Sequence, residues 1–474
     1  MRRDGRLAGW IVLSALCVAI SSCVHYHGQP LAPASSESTF RNRTLDDPGL
    51  AAFVRSAIPA QAKNWPPKEL DLRAATAVAA YFNPEISLAR SHLKTAEAAI
   101  VTAGGRPNPS FTGSAGYETL SSSPVVLRLE LSLPLETAHK RSYRILEAAK
   151  LADAARLTLN ETSWRVYSAV RDAWMNYIAA VEEAEAAARE SQLQLSVVSL
   201  MQQRLSAGEI SRPEWDQVRI EASRAAIRLN AIHGQVSQSR IALASAMGVP
   251  EAAIANVQFS KSSYNRPELI DQLPPGSVQK AGLLNRLDIQ RSLLEYAAAD
   301  AQLHLEIARQ YPDIQLNPGY DFDEGIHKFT FGTSFPIPVW NRNRGPIAEA
   351  ESRRSAAEAE FLALQQKAIH QVEQALELYR TAVSEFQEAD VRWKTLQTDR
   401  ERSLIRAVDV GEADRLALNM TRLQSVEAER GRLQALGKTR AAFSALEDAV
   451  QAPLDDVPWI QPRPEFHADG PAPK

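Results

Sequence analysis

Cysteine is almost missing from this chain. There are two in 474 residues, Cys17 and Cys23, both close to the start. Charge of one sign is lacking too: 53 Lys and Arg stand against 56 Asp and Glu, a formal net charge of −3, so nothing in the balance recommends nucleic acid as a partner. The sequence contains no G-x-S-x-G, H-E-x-x-H, C-x-x-C, Walker or G-x-G-x-x-G pattern. The expectation is therefore no enzyme and no cofactor. His92, His139, His233, His304, His327 and His370 are scattered, without the spacing that brings metal ligands together, so no metal centre is expected.

What the chain does have begins with an address. "MRRDGR" is basic, "LAGWIVLSALCVAI" is apolar but too short and too early to be a convincing spanning helix, and small residues follow directly before Cys23. Ile20, Ser21 and Ser22 resemble the recognition positions of a bacterial lipobox, which makes Cys23 the expected acylated first residue of the mature chain. The next residue, Val24, is not the aspartate that typically holds lipoproteins at the inner membrane. Cys17 leaves with the leader, so a mature chain with one cysteine has no internal disulfide. Residues 24–49 are rich in Pro, Ser and Gly and show no helical or strand period, which predicts a tether.

The strongest feature is an internal duplication. Residues 83–118 align with 286–321 at a constant offset, placing Ile86, Pro109 and Tyr117 on Ile289, Pro312 and Tyr320. At the same offset "GEISR" (208–212) falls on "GEADR" (411–415). Each half repeats one order: helix, strand pair, long helix, Gly-Glu turn, helix. The predicted organisation is a leader (1–22), a tether and N-terminal periplasmic segment (23–66), a first repeat (67–250), a linker or equatorial segment (251–276), a second repeat (277–450) and a Pro-rich tail (451–474).

In the strand pairs the residues alternate. Phe111, Gly113, Ala115 and Tyr117, then Leu127, Leu129, Leu131 and Leu133, fall on one face; Arg128, Glu130 and Ser132 fall on the other. The second half does the same, with Ile314, Leu316, Pro318, Tyr320 and Phe322, then Phe329, Phe331, Thr333, Phe335 and Ile337, opposite Asn317, Asp321, Thr330 and Ser334. Strands of about ten residues with this period suit a membrane wall, although a soluble sandwich alternates the same way. The helical stretch that follows decides between them. From Lys140 to Ser206 there is no proline or glycine. Such a helix is about 100 Å long, more than a compact domain can house. Its small residues, from Ile145 through Ala148, Ala152, Ala155, Leu159, Thr162, Val166 and Ala169 to Ala173, predict a close-packed seam. Four membrane strands cannot close a barrel, whereas three chains supply about twelve.

On these residues the chain resembles the TolC-like outer-membrane efflux protein family over essentially its whole mature length. The carriers are the paired helix starts "NPEI" and "LDI", the strand starts "RPNPSF" and "QYPDIQL", the exits "LPL" and "PIPVWNRNRG", and the turns "AGEISR" and "VGEADR". The "NRNRG" exit also resembles the heavy-metal, CzcC-like branch. The resemblance implies a fold that is mainly α with membrane β, in which four strands per protomer close a twelve-stranded trimeric barrel continued by an α-helical one. It implies a passive outer-membrane channel in a tripartite efflux system, conducting heavy-metal cations if the branch holds. The partners are two further copies, a periplasmic adaptor, an inner-membrane pump and outer-membrane lipid. Arg128, Glu130, Asn317 and Asp321 would face the lumen. Gly208, Glu209, Arg212, Gly411, Glu412 and Arg415 would form adaptor-docking tips. Some members carry an acidic ring just beyond the second tip; here Ala417, Asn419 and Met420 occupy that stretch, with Asp409, Glu412 and Asp414 nearer the tip. A non-pore periplasmic coiled-coil adaptor or structural lipoprotein is the competing reading.

Overall fold

A computed structural model describes residues 26–59, 65–119, 125–261, 264 and 286–454 of the chain. Two units separate, Met1–Arg43 and Thr44–Lys474. In the first, the expected tether contains a helix, α1 (Pro33–Arg41). Proline starts it at a position where the missing N–H has no intrahelical partner anyway, and serine and threonine hydroxyls donate back to carbonyls three or four residues earlier. No residue of α1 is buried, so no hydrophobic period announced it. In the second unit the same stretch of sequence continues into α2 (Pro48–Ala57), capped by Asp47 and burying Leu50 and Val54.

The duplication is visible in the backbone. The first repeat holds β1 (Glu69–Leu70), α3 (Leu72–Phe82), α4 (Pro84–Ala103), β2 (Ser110–Tyr117), β3 (Val125–Leu135), α5 (Lys140–Ser206) and α6 (Arg212–Met247). After a short two-residue strand β4 (Gln258–Phe259), the second holds α7 (Leu287–Ala308), β5 (Ile314–Asp323), β6 (Ile326–Ser334), α8 (Arg344–Thr395), α9 (Arg402–Asp409) and α10 (Arg415–Val450). The segment expected to be a linker or equatorial segment supplies β4, which pairs parallel with β1. Equivalent positions adopt equivalent strained backbone: Gly208 and Gly411 both have φ of +77°, and Gly248 and Gln451 end their helices at +72° and +52°.

α5 runs unbroken for 67 residues, which at 1.5 Å per residue is about 100 Å. Around its half nearer the strands lie α4 and α7, and around its other half α6 and α10; α8 packs on α7 and then on α10. The shorter helices stack end to end beside it, as their lengths required. Asn83, which starts α4, donates its side-chain amide to Ala246 O in the last turn of α6 at 3.3 Å. In the second repeat Gln451 Oε1 accepts from Leu287 N at 2.8 Å, and Arg286 donates to Ala449 O at 3.0 Å. The expected single seam on α5 is incomplete: Ala152, Thr162 and Val166 are buried, but Ala169 is exposed, and Trp164, Tyr167, Val170, Trp174 and Ile178 are buried as well. Neighbours on two flanks demand a wider apolar surface than one heptad stripe supplies.

The second arm is not continuous. Between α8 and α9 the residues Leu396–Glu401 form a π-helical turn, a local widening of the kind an extra residue produces.

Candidate channel wall and hairpin tips

The strands form one antiparallel sheet in the order β2-β3-β5-β6. They span 8 to 11 residues each. β6 stops at Ser334, before Phe335 and Ile337, because Pro336 and Pro338 remove the donors that a ladder needs. β5 turns into β6 through Glu324 and Gly325, at φ of +51° and +80°. A two-residue turn with both positions left-handed matches strand twist, and an acidic-residue-Gly pair between alternating strands was its legible signal.

Register brings the alternating residues onto common faces. Phe111 pairs with Leu131, Leu129 with Tyr320, Tyr320 with Phe329 and Pro318 with Phe331. That face is apolar across all four strands apart from His327 and Thr333 on β6. On the opposite face Arg128 pairs with Asp321 and Asp321 with Lys328, while Thr112, Glu130, Gly319 and Thr330 share the next row. Arg128 Nε donates to Asp321 Oδ1 at 3.0 Å, and Lys328 Nζ to Asp323 at 3.2 Å. Asn317 lies on the same polar face, opposite Gly332, with its carbonyl oxygen buried and unpaired. All four expected lumen residues therefore share one face. Among the described residues, β2 and β6 each leave one edge without a ladder partner.

Polar bolts join this sheet to the helices. Ala138 and His139 are left-handed, which turns the chain from β3 into α5. There Lys140, almost fully buried, donates to Tyr311 O and to Asp313, both at 2.6 Å. Thr137 donates its N–H to Asp313 and its hydroxyl to Pro312 O. Desolvation alone would push the Asp313 carboxyl up, but hydrogen bonds from Lys140 and Thr137 outweigh it and hold it below the ordinary range. Arg141 and Arg144 donate to Gly104, Ala103 and Gly105 carbonyls at the end of α4. Sequence reasoning missed this joint, since its partners lie far apart in the chain.

At the far ends of the long helices sit the two Gly-Glu turns. A side chain at Gly208 or Gly411 would meet nothing within 4 Å, so the backbone angle, and not crowding, requires glycine within the protomer. Glu209, Arg212, Glu412 and Arg415 are all exposed. They do not pair with one another; Arg212 instead lies 3.5 Å from Asp216 and over the Trp215 ring at 4.8 Å. The contact between the tips is made by Arg204, at the end of α5, which donates to Asp414 and stands 4.0 Å from Glu209. Asp414 also caps α10 through Leu416 N. Its carboxylate is thus engaged within the protomer and is not a free member of an acidic ring. Above the second tip Asp390 accepts from Arg432 at 2.6 Å and is bridged by Lys394 at 2.6 Å, with Arg432 over Phe386 and Trp393. Cys23 lies outside the described residues. His27 is exposed, and no cluster of His, Cys, Asp or Glu able to hold a metal occurs among the described residues.

A sheet that is apolar on one face, open at both edges and bolted end-on to helices of this length defines a protomer of a channel-tunnel. Comparison with known proteins agrees. Residues 78–249 match the family model described as outer membrane efflux protein. The cobalt-zinc-cadmium resistance protein CzcC of Cupriavidus metallidurans is 26% identical over 296 residues, 62% of this chain and 69% of CzcC. Outer membrane protein OprJ of Pseudomonas aeruginosa is 27% identical over 248 residues, 45% of this chain and 51% of OprJ. Among solved structures, the outer membrane protein VceC of Vibrio cholerae superposes with a TM-score of 0.64 at 18% identity, covering 81% of this chain and 97% of that one. CusC superposes with a TM-score of 0.64 at 16% identity, over 81% and 92%. The segment 78–249 carries the signature of the outer membrane efflux proteins, and the fold follows the TolC-like plan of VceC and CusC.

Proposed function

We propose that this protein is the passive outer-membrane conduit of a tripartite efflux system, and that its cargo is divalent heavy-metal cations. The observation that supports it most is the four-stranded sheet with two open edges. An unpaired edge in hydrocarbon leaves backbone groups unsatisfied at several kcal/mol each, so β6 of one copy must meet β2 of the next. Three copies would bring about twelve strands, within the range of known barrels. Arg128, Glu130, Asn317 and Asp321 then line the pore, and an inner-membrane pump supplies the energy through a periplasmic adaptor. Gly208, Glu209, Arg212, Gly411, Glu412 and Arg415 form the surface on which the adaptor docks. Cys23 carries the lipid that tethers each copy. The cargo class follows the likeness to CzcC, whose name states cobalt, zinc and cadmium resistance.

The purified protein should run as a trimer on an unboiled gel and open steps of conductance in a planar bilayer. Deleting its gene should sensitise the cell to zinc, cobalt and cadmium. Monomers without conductance would support a non-pore adaptor instead; conducting trimers with unchanged metal tolerance would leave the channel and remove the cargo. Palmitate should label the wild type and not Cys23→Ala, and equal labelling would defeat the lipidation site.

A further inference from the structure

The two strand exits, equivalent by sequence repeat, are opposite in character. After β3 the chain is bolted down at once by Thr137, Lys140 and Asp313. After β6 it is bare. Phe335, Ile337, Val339 and Trp340 are 53%, 72%, 63% and 97% exposed. The hydrogen bonds seen along this stretch are local, Val339 N to Ile337 O and Asn343 N to Asn341 Oδ1, until the Asn343 side chain reaches Glu306. Arg342 and Arg344 follow, both exposed and in no ion pair of the described residues. Arg344 opens α8 and Arg342 precedes it, whereas most arginines within the helices have a carboxylate partner, as Arg144 has in Glu136.

We infer that Val339, Trp340, Arg342 and Arg344 form a binding surface for anionic phospholipid, the indole lying at the headgroup boundary and the two guanidiniums holding phosphates. This rests on the reading of the sheet as a membrane wall. Three observations carry it. The patch continues the apolar face of β6, where Phe329 and Phe331 are exposed, directly past the end of the ladder. Its order, apolar residues, then indole, then arginines, follows the order of environments met on leaving a bilayer. The charge also selects lipid over the second copy as the occupant. The segment of a neighbouring copy that leads into β2, residues 104–109, carries Arg106 and no carboxylate, so it offers Arg342 and Arg344 nothing to pair with. Phosphate does, in a bidentate fork. In a trimer the surface would recur three times around the barrel rim.

The test uses the full-length protein in nanodiscs made with phospholipids brominated at shallow or deep acyl positions. The emission lost in Trp340→Phe should be quenched more by shallow bromine, and raising the share of phosphatidylglycerol should blue-shift it. That shift should vanish in the Arg342→Gln, Arg344→Gln double variant while the trimer persists. Emission from Trp340 that is indifferent to brominated lipid, with Trp340→Ala lowering the melting point of the trimer in detergent, would assign the patch to the second copy and overturn the inference. Phe331→Trp in the Trp340→Phe background is the control. If deep bromine quenches it while Trp340 is not quenched, only the lipid surface fails; if neither is quenched, the membrane reading of the sheet fails with it.

Discussion

Arg171 of α5 and Glu447 of α10 form an ion pair of 2.7 Å with side-chain exposures of 1% and 2%. It joins the first repeat to the second, some 276 residues apart in sequence. Asp448 and Asp172 complete the ring at 2.9 and 3.1 Å, and the Tyr167 ring lies 5.6 Å beneath the guanidinium. Desolvation would lower the arginine's pKa, but the three carboxylates outweigh it and raise it, so the charge is permanent.

Removing one partner leaves the other charged in a dry interface, at about 3 to 5 kcal/mol. Arg171→Met should therefore lower the stability of the protein sharply in chemical denaturation. The double variant Arg171→Met, Glu447→Leu should recover much of the loss, because the one fully buried carboxylate is then gone and the remaining two, Asp448 and Asp172, are 38% and 48% exposed. A double variant as unstable as the sum of the two singles would show that Asp448 and Asp172 carry the pairing.

The second hairpin should weaken in acid. Burial would push the Asp390 carboxyl up, but hydrogen bonds from Arg432 and Lys394 prevail and hold it below its ordinary value. A carboxyl depressed in the folded state stabilises fully above its unfolded pKa, about 3.9. That contribution is lost as pH falls through the lower folded value. Amide protection in 386–432, taken relative to the intrinsic exchange rate at each pH, should fall below about pH 4 in the wild type. Asp390→Asn should be less protected at neutral pH and show less of this dependence.

The two faces of the sheet should respond differently to charge. Leu129→Arg and Phe331→Arg, on the apolar face, should cost about 2 to 4 kcal/mol near the bilayer midplane and reduce assembled trimer. Ser132→Arg and Thr330→Arg, on the face with Asp321 and Glu130, should assemble and alter conductance instead. Equal loss of trimer in both pairs would reverse the facing.

The glycines separate turn geometry from docking. At Gly248, positive φ coincides with a Cβ that would meet Asn83 and Phe82 backbone at 3.1 Å, so Gly248→Ala should destabilise the join of α6 to α4. At Gly208 and Gly411 space is free, and asparagine tolerates positive φ. The Gly208→Asn, Gly411→Asn protein should form trimers yet lose adaptor cross-linking and resistance. Normal export by that variant would mean the tips need glycine for the turn alone.

The sequence by itself determined the architecture of this protein. A repeat with a constant offset, strands that alternate, and an α5 free of Pro and Gly are local periodic signals, and each reappears at its expected position because long regular elements obey their own propensities. The faces of the sheet were legible too, since a period of two assigns Arg128, Glu130, Asn317 and Asp321 together. Tertiary structure decided the rest. α1 buries nothing, so no hydrophobic period marked it. The Lys140–Asp313 bolt, the Arg171–Glu447 pair and the Arg204–Asp414 contact join residues far apart in sequence, and no spacing rule links them. At the tips, glycine was readable from the need for positive φ, but which charges engage was not: packing of α5 beside α10 gave Asp414 to Arg204 and left Glu412 and Arg415 at the surface. The contrast between the two strand exits arose the same way, as Asp313 reaches the first at its start, whereas the second is held among the described residues only at Asn343, by Glu306.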